Sequence, residues 1–395
     1  MGEQAFRFDR IAVSGYRCLE DVEVDLRGLN VVIGPNGAGK STLLDTLVLL
    51  ATSTRNAGLA EAVARRGGFN RLVSFGRKDA TVRVAVSSSP QPWPGGQTPA
   101  PIKYSLELGA SGNGFDVASE SLDQARDPAA SRPFFFIQRT RTHRKIHDPK
   151  TNSLVDPDWD VASHETILSG AVRMHLEPSR FRRHMGGATY YPPAAIGDRD
   201  PLRLSQTLVP TASTPEPDGS NILSVLQKIR AEHEDRWQQI EDVLHAGFPT
   251  FRKLEWAIVG AGQVTLAWHD TRFKNPLFAN ELSSGMLRFL MLSTVLLCPE
   301  PPAIILLDEP ELSLHPELLR LLAELLVQAA QRTQILVATH AGSLLRWFKP
   351  EHVIVVDSEE GRSTFTRGDA LDLDRWMNDY TLDQVWEMGE MGGRP

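Results

Sequence analysis

Gly34-Pro35-Asn36-Gly37-Ala38-Gly39-Lys40-Ser41-Thr42 is the stretch whose reading decides the fold. It follows the phosphate-binding loop pattern G-x-x-x-x-G-K-[ST], with Lys40 and Ser41 in the required places. Its flanks agree. Leu29-Asn30-Val31-Val32-Ile33 is short, apolar and β-branched, as a buried strand would be. Ser41 to Leu50 reads as an apolar helix. Strand, glycine turn and helix start together aim backbone N–H groups and the positive end of a helix at an anion. Lys40 would reach the β- and γ-phosphates of a nucleotide, and the Ser41 hydroxyl would ligate Mg²⁺. A chance glycine-rich turn could carry the same letters, but it would not need this strand and this helix around it.

Three further stretches fit the same chemistry. Ala303-Ile304-Ile305-Leu306-Leu307-Asp308-Glu309-Pro310 is an apolar strand ending in two carboxylates. Asp308 sits where a Walker B aspartate holds Mg²⁺ through water, and Glu309 where a base polarises the attacking water. Strand-end acids are often plain loop residues, and the phosphate loop is what gives this pair its meaning. Leu282-Ser283-Ser284-Gly285-Met286 precedes an apolar helix through Leu297. It reads either as an ordinary serine cap or as a second anion site built on Ser283 and Gly285. His340 ends the apolar run Gln334-Ile335-Leu336-Val337-Ala338-Thr339, one helix beyond the Asp-Glu pair, and is a candidate γ-phosphate sensor.

In this order the motifs resemble an ABC ATPase, and their wording is similar to the RecF/SMC-like branch, within it to the small coiled-coil-free AAA-type ATPases. The residues that carry the resemblance are Gly15-Tyr16-Arg17-Cys18-Leu19, Leu282 to Leu290 and Asp308-Glu309-Pro310-Glu311-Leu312-Ser313-Leu314-His315-Pro316. Asp218-Gly219-Ser220-Asn221 and Gly392-Gly393-Arg394-Pro395 add to it. The resemblance covers residues 11–50 and 280–342. It implies an α/β fold: a P-loop NTPase of ABC-head type with a mixed central sheet, an antiparallel β layer and an inserted mainly helical lobe. It also implies ATP and Mg²⁺ as cofactors, Glu309 and His340 as catalytic residues, and Ser41 and Asp308 at the metal. Two copies are expected to meet head to head, Ser283 and Gly285 of one facing the phosphate loop of the other. Arg17 matches an arginine of the family that touches nucleotide. Met286 stands where the family carries Gln or Glu, and Gln138 is the candidate for its Q-loop glutamine.

The 395-residue chain is expected to be one such head. Its nucleotide core would come from residues 1–110 and 250–365, with the inserted lobe at about 130–250 and a tail at 366–395. Residues 81–86 and 102–108 read as antiparallel strands around a proline-rich loop, Ser87 to Pro101. Ser220 would cap a long helix to about His245. The 41% hydrophobic content suffices for a core, and two cysteines make no disulfide framework. The N-terminus lacks the apolar run of a signal peptide, and the longest apolar run contains Arg288 and is too short to span a bilayer, so a cytoplasmic protein is expected.

A net charge of −7 argues against indiscriminate nucleic-acid binding, yet the middle of the chain is locally basic. Arg139, Arg141, Arg144, Lys145, Arg180, Arg182 and Arg183 would serve equally as a DNA or RNA contact or as the face for an acidic protein. The functions these features leave open are a nucleic-acid-linked ATPase of genome maintenance or phage defence, and an ATP-gated scaffold for a separate effector protein. A transporter subunit fits less well, because Lys40 and Ser283 stand farther apart than in transporter heads. The residues after His340 are expected to leave no room for a fused nuclease.

Overall fold

The computed structural model describes residues 6–74, 80–92, 99–112, 114–125, 132–170, 175–193, 196–377 and 379–393. In chain order, the first part holds β1 (Phe8–Tyr16), β2 (Leu19–Asp25), β3 (Leu29–Ile33), α1 (Lys40–Ser53) and α2 (Gly58–Arg65). Strands β4 (Thr81–Gln91), β5 (Ala100–Ser111), β6 (Gly114–Gln124), β7 (Phe134–Thr140), β8 (Arg144–Asp148) and β9 (Ser153–Val155) follow. The middle comprises α3 (Leu176–Gly186), β10 (Ala188–Tyr191), β11 (Gln206–Thr207), α4 (Ile222–Glu232), α5 (Glu234–Gly247), β12 (Phe251–Gly260), β13 (Gln263–Asp270) and β14 (Leu277–Phe278). The last part holds α6 (Ser284–Leu297), β15 (Ile304–Asp308), α7 (Pro316–Ala329), β16 (Gln334–Thr339), α8 (Gly342–Leu345), β17 (Val353–Glu359), β18 (Arg362–Arg367), α9 (Asp374–Met377) and α10 (Leu382–Glu387).

The central sheet has the order β10-β15-β16-β3-β17-β18 and is parallel except at β18. Its inner strands β15, β16 and β3 are buried along their whole length. That explains their mainly apolar runs, since a parallel strand is covered on both faces; the polar Asn30 inside β3 is buried and donates from Nδ2 to the carbonyls of Arg27 and Ile335. Alternate residues enter two different cores. Val31, Ile33, Ile305, Leu307, Ile335 and Val337 face the helices α4 to α7. Val32, Ile304, Leu306, Leu336 and Ala338 face α1 and the second sheet. That second sheet is eight-stranded and antiparallel, in the order β2-β1-β4-β5-β6-β7-β8-β9.

Three expectations are corrected. Residues 134–155 are not the start of a helical lobe but three strands that lengthen the antiparallel sheet. Phe134-Phe135-Phe136-Ile137 is rich in strand formers, and this local preference prevails. The long helix expected from Ser220 to His245 is two helices, broken at His233, whose backbone (φ −139°, ψ 68°) is not helical. The loop expected at Ser87–Pro101 is shorter, because the strands run on to Gln91 and resume at Ala100; residues 93–98 lie outside the described residues.

Candidate nucleotide site

The parallel register brings the sequence motifs to one edge of the sheet. Asp308 pairs with Ala338 and Thr339 pairs with Ile33, so Asp308, His340 and Gly34 all lie at the carboxyl ends of adjacent strands. That is where open parallel sheets place their ligands. The loop's glycines are required by packing. A Cβ at Gly34 would lie 2.2 Å from the Val356 carbonyl oxygen, and one at Gly39 would lie 2.6 Å from Ser363 Oγ. Gly37 and Gly39 also have φ of +80° and +108°, where only glycine is unstrained.

Lys40 is held against this loop, its Nζ donating to the carbonyls of Gly34 (2.7 Å) and Pro35 (2.8 Å). Burial lowers its pKa, while the carboxylates of Glu309, Asp308 and Glu311 act in the opposite sense. Ser41 Oγ donates to Asp308 Oδ1 at 3.0 Å, and Tyr190 Oη donates to Asp308 Oδ2 at 2.9 Å. Burial raises the Asp308 pKa, and those two hydroxyls partly offset it. Beside them, Glu309 Oε1 and His340 Nδ1 are 3.0 Å apart. Glu309 has φ +47°, held by its N–H donating to the Ala338 carbonyl at 2.8 Å. A non-glycine residue in this region is a strained arrangement of the kind found at functional sites.

These residues fit Mg²⁺ and a nucleoside triphosphate. Among the described residues no three His, Cys, Asp or Glu side chains converge on one point. Ser41 and Asp308 would therefore hold an ion that takes its other ligands from phosphate and water, the habit of Mg²⁺. The loop supplies inward N–H groups and one ammonium for the phosphates.

Other candidates fall into place differently. Arg17, at φ +50°, pairs with Asp45 of α1 at 3.1 Å; Asp45 also accepts from Tyr16 Oη (2.6 Å) and Arg66 Nε (3.0 Å). Arg17 thus sits over the first turns of the phosphate-loop helix. Ser283 caps α6, its Oγ accepting from Met286 N at 3.2 Å. Gly285 packs on the loop after β15, where a Cβ would lie 2.7 Å from the Ser313 carbonyl oxygen. Within this single chain, Ser283 and Gly285 make no hydrogen bond to the phosphate loop or Asp308 among the described residues.

Gln138 is exposed on β7, opposite Ser121 and Lys145, and is not brought to the loop. Arg139 is buried at 4% exposure and donates to the carbonyls of Glu165 and Ser163 (2.7 Å). Those carbonyls need a donor, so Arg139 is a structural clamp and not a surface contact for nucleic acid; burial lowers its pKa. Arg141 is exposed, Lys145 pairs with Asp156, and Arg180, Arg182 and Arg183 lie on α3.

Sequence reasoning missed Tyr190 and Glu311. Tyr190 lies in a strand-forming run, Ala188-Thr189-Tyr190-Tyr191, but nothing local aims its hydroxyl at Asp308. Glu311, whose pKa burial raises, accepts from the Thr339 hydroxyl next to His340. No helix among the described residues is long and apolar enough to cross a membrane.

Residues 29–346 match the family described as "AAA domain, putative AbiEii toxin, Type IV TA system". A curated relative, the OLD nuclease of Thermus scotoductus (strain ATCC 700910 / SA-01), is 46% identical over 41 residues. The match covers 10% of this chain and 8% of that protein. Among solved structures, an Smc head bound to the C-winged helix domain of ScpA is similar at TM-score 0.53 and 14% identity, covering 94% of this chain and 99% of that one. The Smc head domain with an extended coiled coil bound to the C-terminal domain of ScpA, derived from Pyrococcus furiosus, is similar at TM-score 0.53 and 13% identity, covering 94% and 98%. The fold, an α/β architecture with a parallel central sheet and an antiparallel sheet, is similar to that of these Smc heads.

Proposed function

The chain belongs to the AAA-domain family that its residues 29–346 match, and from that premise we propose that it is an Mg²⁺-dependent ATPase whose two copies close head to head around ATP. The observation that carries the reading is the joining of three motifs at one sheet edge, Ser41 to Asp308 and Glu309 to His340, beside Lys40. Bound Mg²⁺ would neutralise phosphate charge and orient the leaving group. Lys40 would exchange its two carbonyl partners for phosphate oxygens. Glu309 would take the proton of the attacking water, with His340 orienting its carboxylate and facing the γ-phosphate. Ser283 and the Gly285 amide of a second copy would complete the phosphate shell, and Arg17 would reach the nucleotide from above α1. The reading extends to nucleic-acid maintenance or phage defence, supported by the short likeness to OLD nuclease. The Smc heads seen with ScpA domains favour a second reading, in which ATP gates the docking of a separate protein partner.

Sedimentation tests the ATPase reading. The Glu309→Gln protein keeps the shape and hydrogen bonding of the site but lacks the base. It is expected to bind ATP, hydrolyse it at least 100-fold more slowly and double in mass with ATP. Lys40→Ala is expected to lose ATP binding in calorimetry and to stay monomeric. Full ATP affinity in Lys40→Ala, or full turnover in Glu309→Gln, overturns the assignment.

A further inference from the structure

A cleft of about 510 Å³ opens between the end of α1 and the outer side of α3. It is lined by Thr54, Arg55, Ser179, Arg182 and Arg183, with Gly186 among its floor residues. The two walls are fitted to each other. Arg182 Nε donates to the Thr54 carbonyl at 3.0 Å, and a Cβ at Gly186 would lie 2.8 Å from Thr54 Oγ1. Arg55 and Arg183 are exposed and have no ion pair or side-chain hydrogen bond among the described residues. Three guanidinium groups with no carboxylate in the lining are conspicuous in a chain of net charge −7. The lining also holds no large apolar side chain. With no apolar or aromatic anchor beside them, three guanidinium groups suit a phosphate backbone, which is held by cations and donors alone, better than the packed centre of a protein interface.

Each wall of this cleft leads to one of the two metal-site residues. α1 begins at Lys40 and Ser41 and ends in the cleft at Thr54. α3 runs through Gly187 into β10, whose Tyr190 hydroxyl holds Asp308. A ligand that pulls α3 toward α1 therefore acts on both partners of the Ser41–Asp308 hydrogen bond.

We propose that this cleft seats the sugar-phosphate backbone of a nucleic acid, without reading bases, and that Tyr190 transmits its occupancy to ATP hydrolysis by positioning Asp308. The coupling rests on the ATPase reading above; the binding site does not. The test uses the full chain and labelled DNA and RNA oligonucleotides of mixed sequence, read by anisotropy over a range of salt. Replacing Arg55 and Arg183 together by Gln should weaken binding at least tenfold at low salt. It should also lower the slope of log affinity against log salt by about 2. Unstimulated ATP turnover should not change. Tyr190→Phe should keep oligonucleotide affinity, lose the oligonucleotide's effect on turnover and raise the Mg²⁺ concentration needed for half-maximal rate. Unaltered binding in the arginine variant overturns the site. Equal competition by polyglutamate at matched charge overturns the nucleic-acid assignment in favour of an acidic protein. An intact oligonucleotide response in Tyr190→Phe overturns the coupling. Salt-sensitive binding through the cleft in a protein that turns over no ATP supports the site and overturns the coupling together with the ATPase reading.

Discussion

His184 shows how a single side chain answers to its surroundings. It lies among Phe6 and Phe8, ring centroids 4.9 and 5.3 Å away, and its Nε2 is buried without a partner. Burial pushes its pKa down to about 4, with the Arg7 charge acting in the same sense. The unfolded chain takes up this proton near pH 6.5 and the folded one only near pH 4. Stability is therefore full above about pH 6.5 and falls as pH drops through that window, by about 2 kcal/mol between pH 7.5 and pH 5. His184→Phe should remove this component, so urea midpoints measured at the two pH values should move closer together than in the wild type. An unchanged difference would contradict the burial argument. Glu309 and Ser313, at φ +47° and +68°, carry a different kind of stress, since each is a non-glycine residue in the left-handed region, Glu309 at the end of β15 and Ser313 in the loop that follows it.

At the level of elements, α6 is fixed to the loop after β15 by one close approach, that of Gly285 to the Ser313 carbonyl. Gly285→Ala places a methyl carbon 2.7 Å from that oxygen, so helix or loop must shift, at a cost of about 1–3 kcal/mol. The phosphate loop lies elsewhere in the chain, so ATP affinity should hold while turnover falls tenfold or more; calorimetry and a phosphate-release assay separate the two. A variant that turns over ATP normally would show that this contact does not serve hydrolysis. The elements that sequence made legible were those with a single strong local signal. The phosphate loop has fixed glycines, and β3, β15 and β16 are mainly apolar runs. What stayed hidden depended on partners distant in the chain. Tyr190 gains its meaning only from the pairing of β10 with β15, and the burial of Arg139 only from the carbonyls of residues 162–165 that reach it. The break at His233 was masked because apolar spacing continues through both α4 and α5.

For the whole molecule, the proposed head-to-head closure would make one chain half of each site. Ser283 and Gly285 are displayed at the start of α6 without touching their own phosphate loop among the described residues. Ser283→Arg would put a long cation at the surface where a second copy is proposed to dock. ATP should still bind, while the ATP-dependent doubling of mass in a Glu309→Gln background should disappear. Persistence of that dimer would rule out a signature-mediated contact.

The place of β3 has a consequence for synthesis. It is an early strand, yet its two neighbours in the sheet are β16 and β17, made roughly 300 residues later. At about 5–20 residues per second a ribosome needs tens of seconds to deliver them. Through that interval Leu29 to Ile33, all five buried in the finished protein, has both hydrogen-bonding edges bare. The nascent chain therefore offers a sticky, unpaired strand for most of its time on the ribosome. A holdase bound over the first turn of translation, or codon choices that hurry the last third of the message, should raise the yield of soluble protein more than any change to the finished fold.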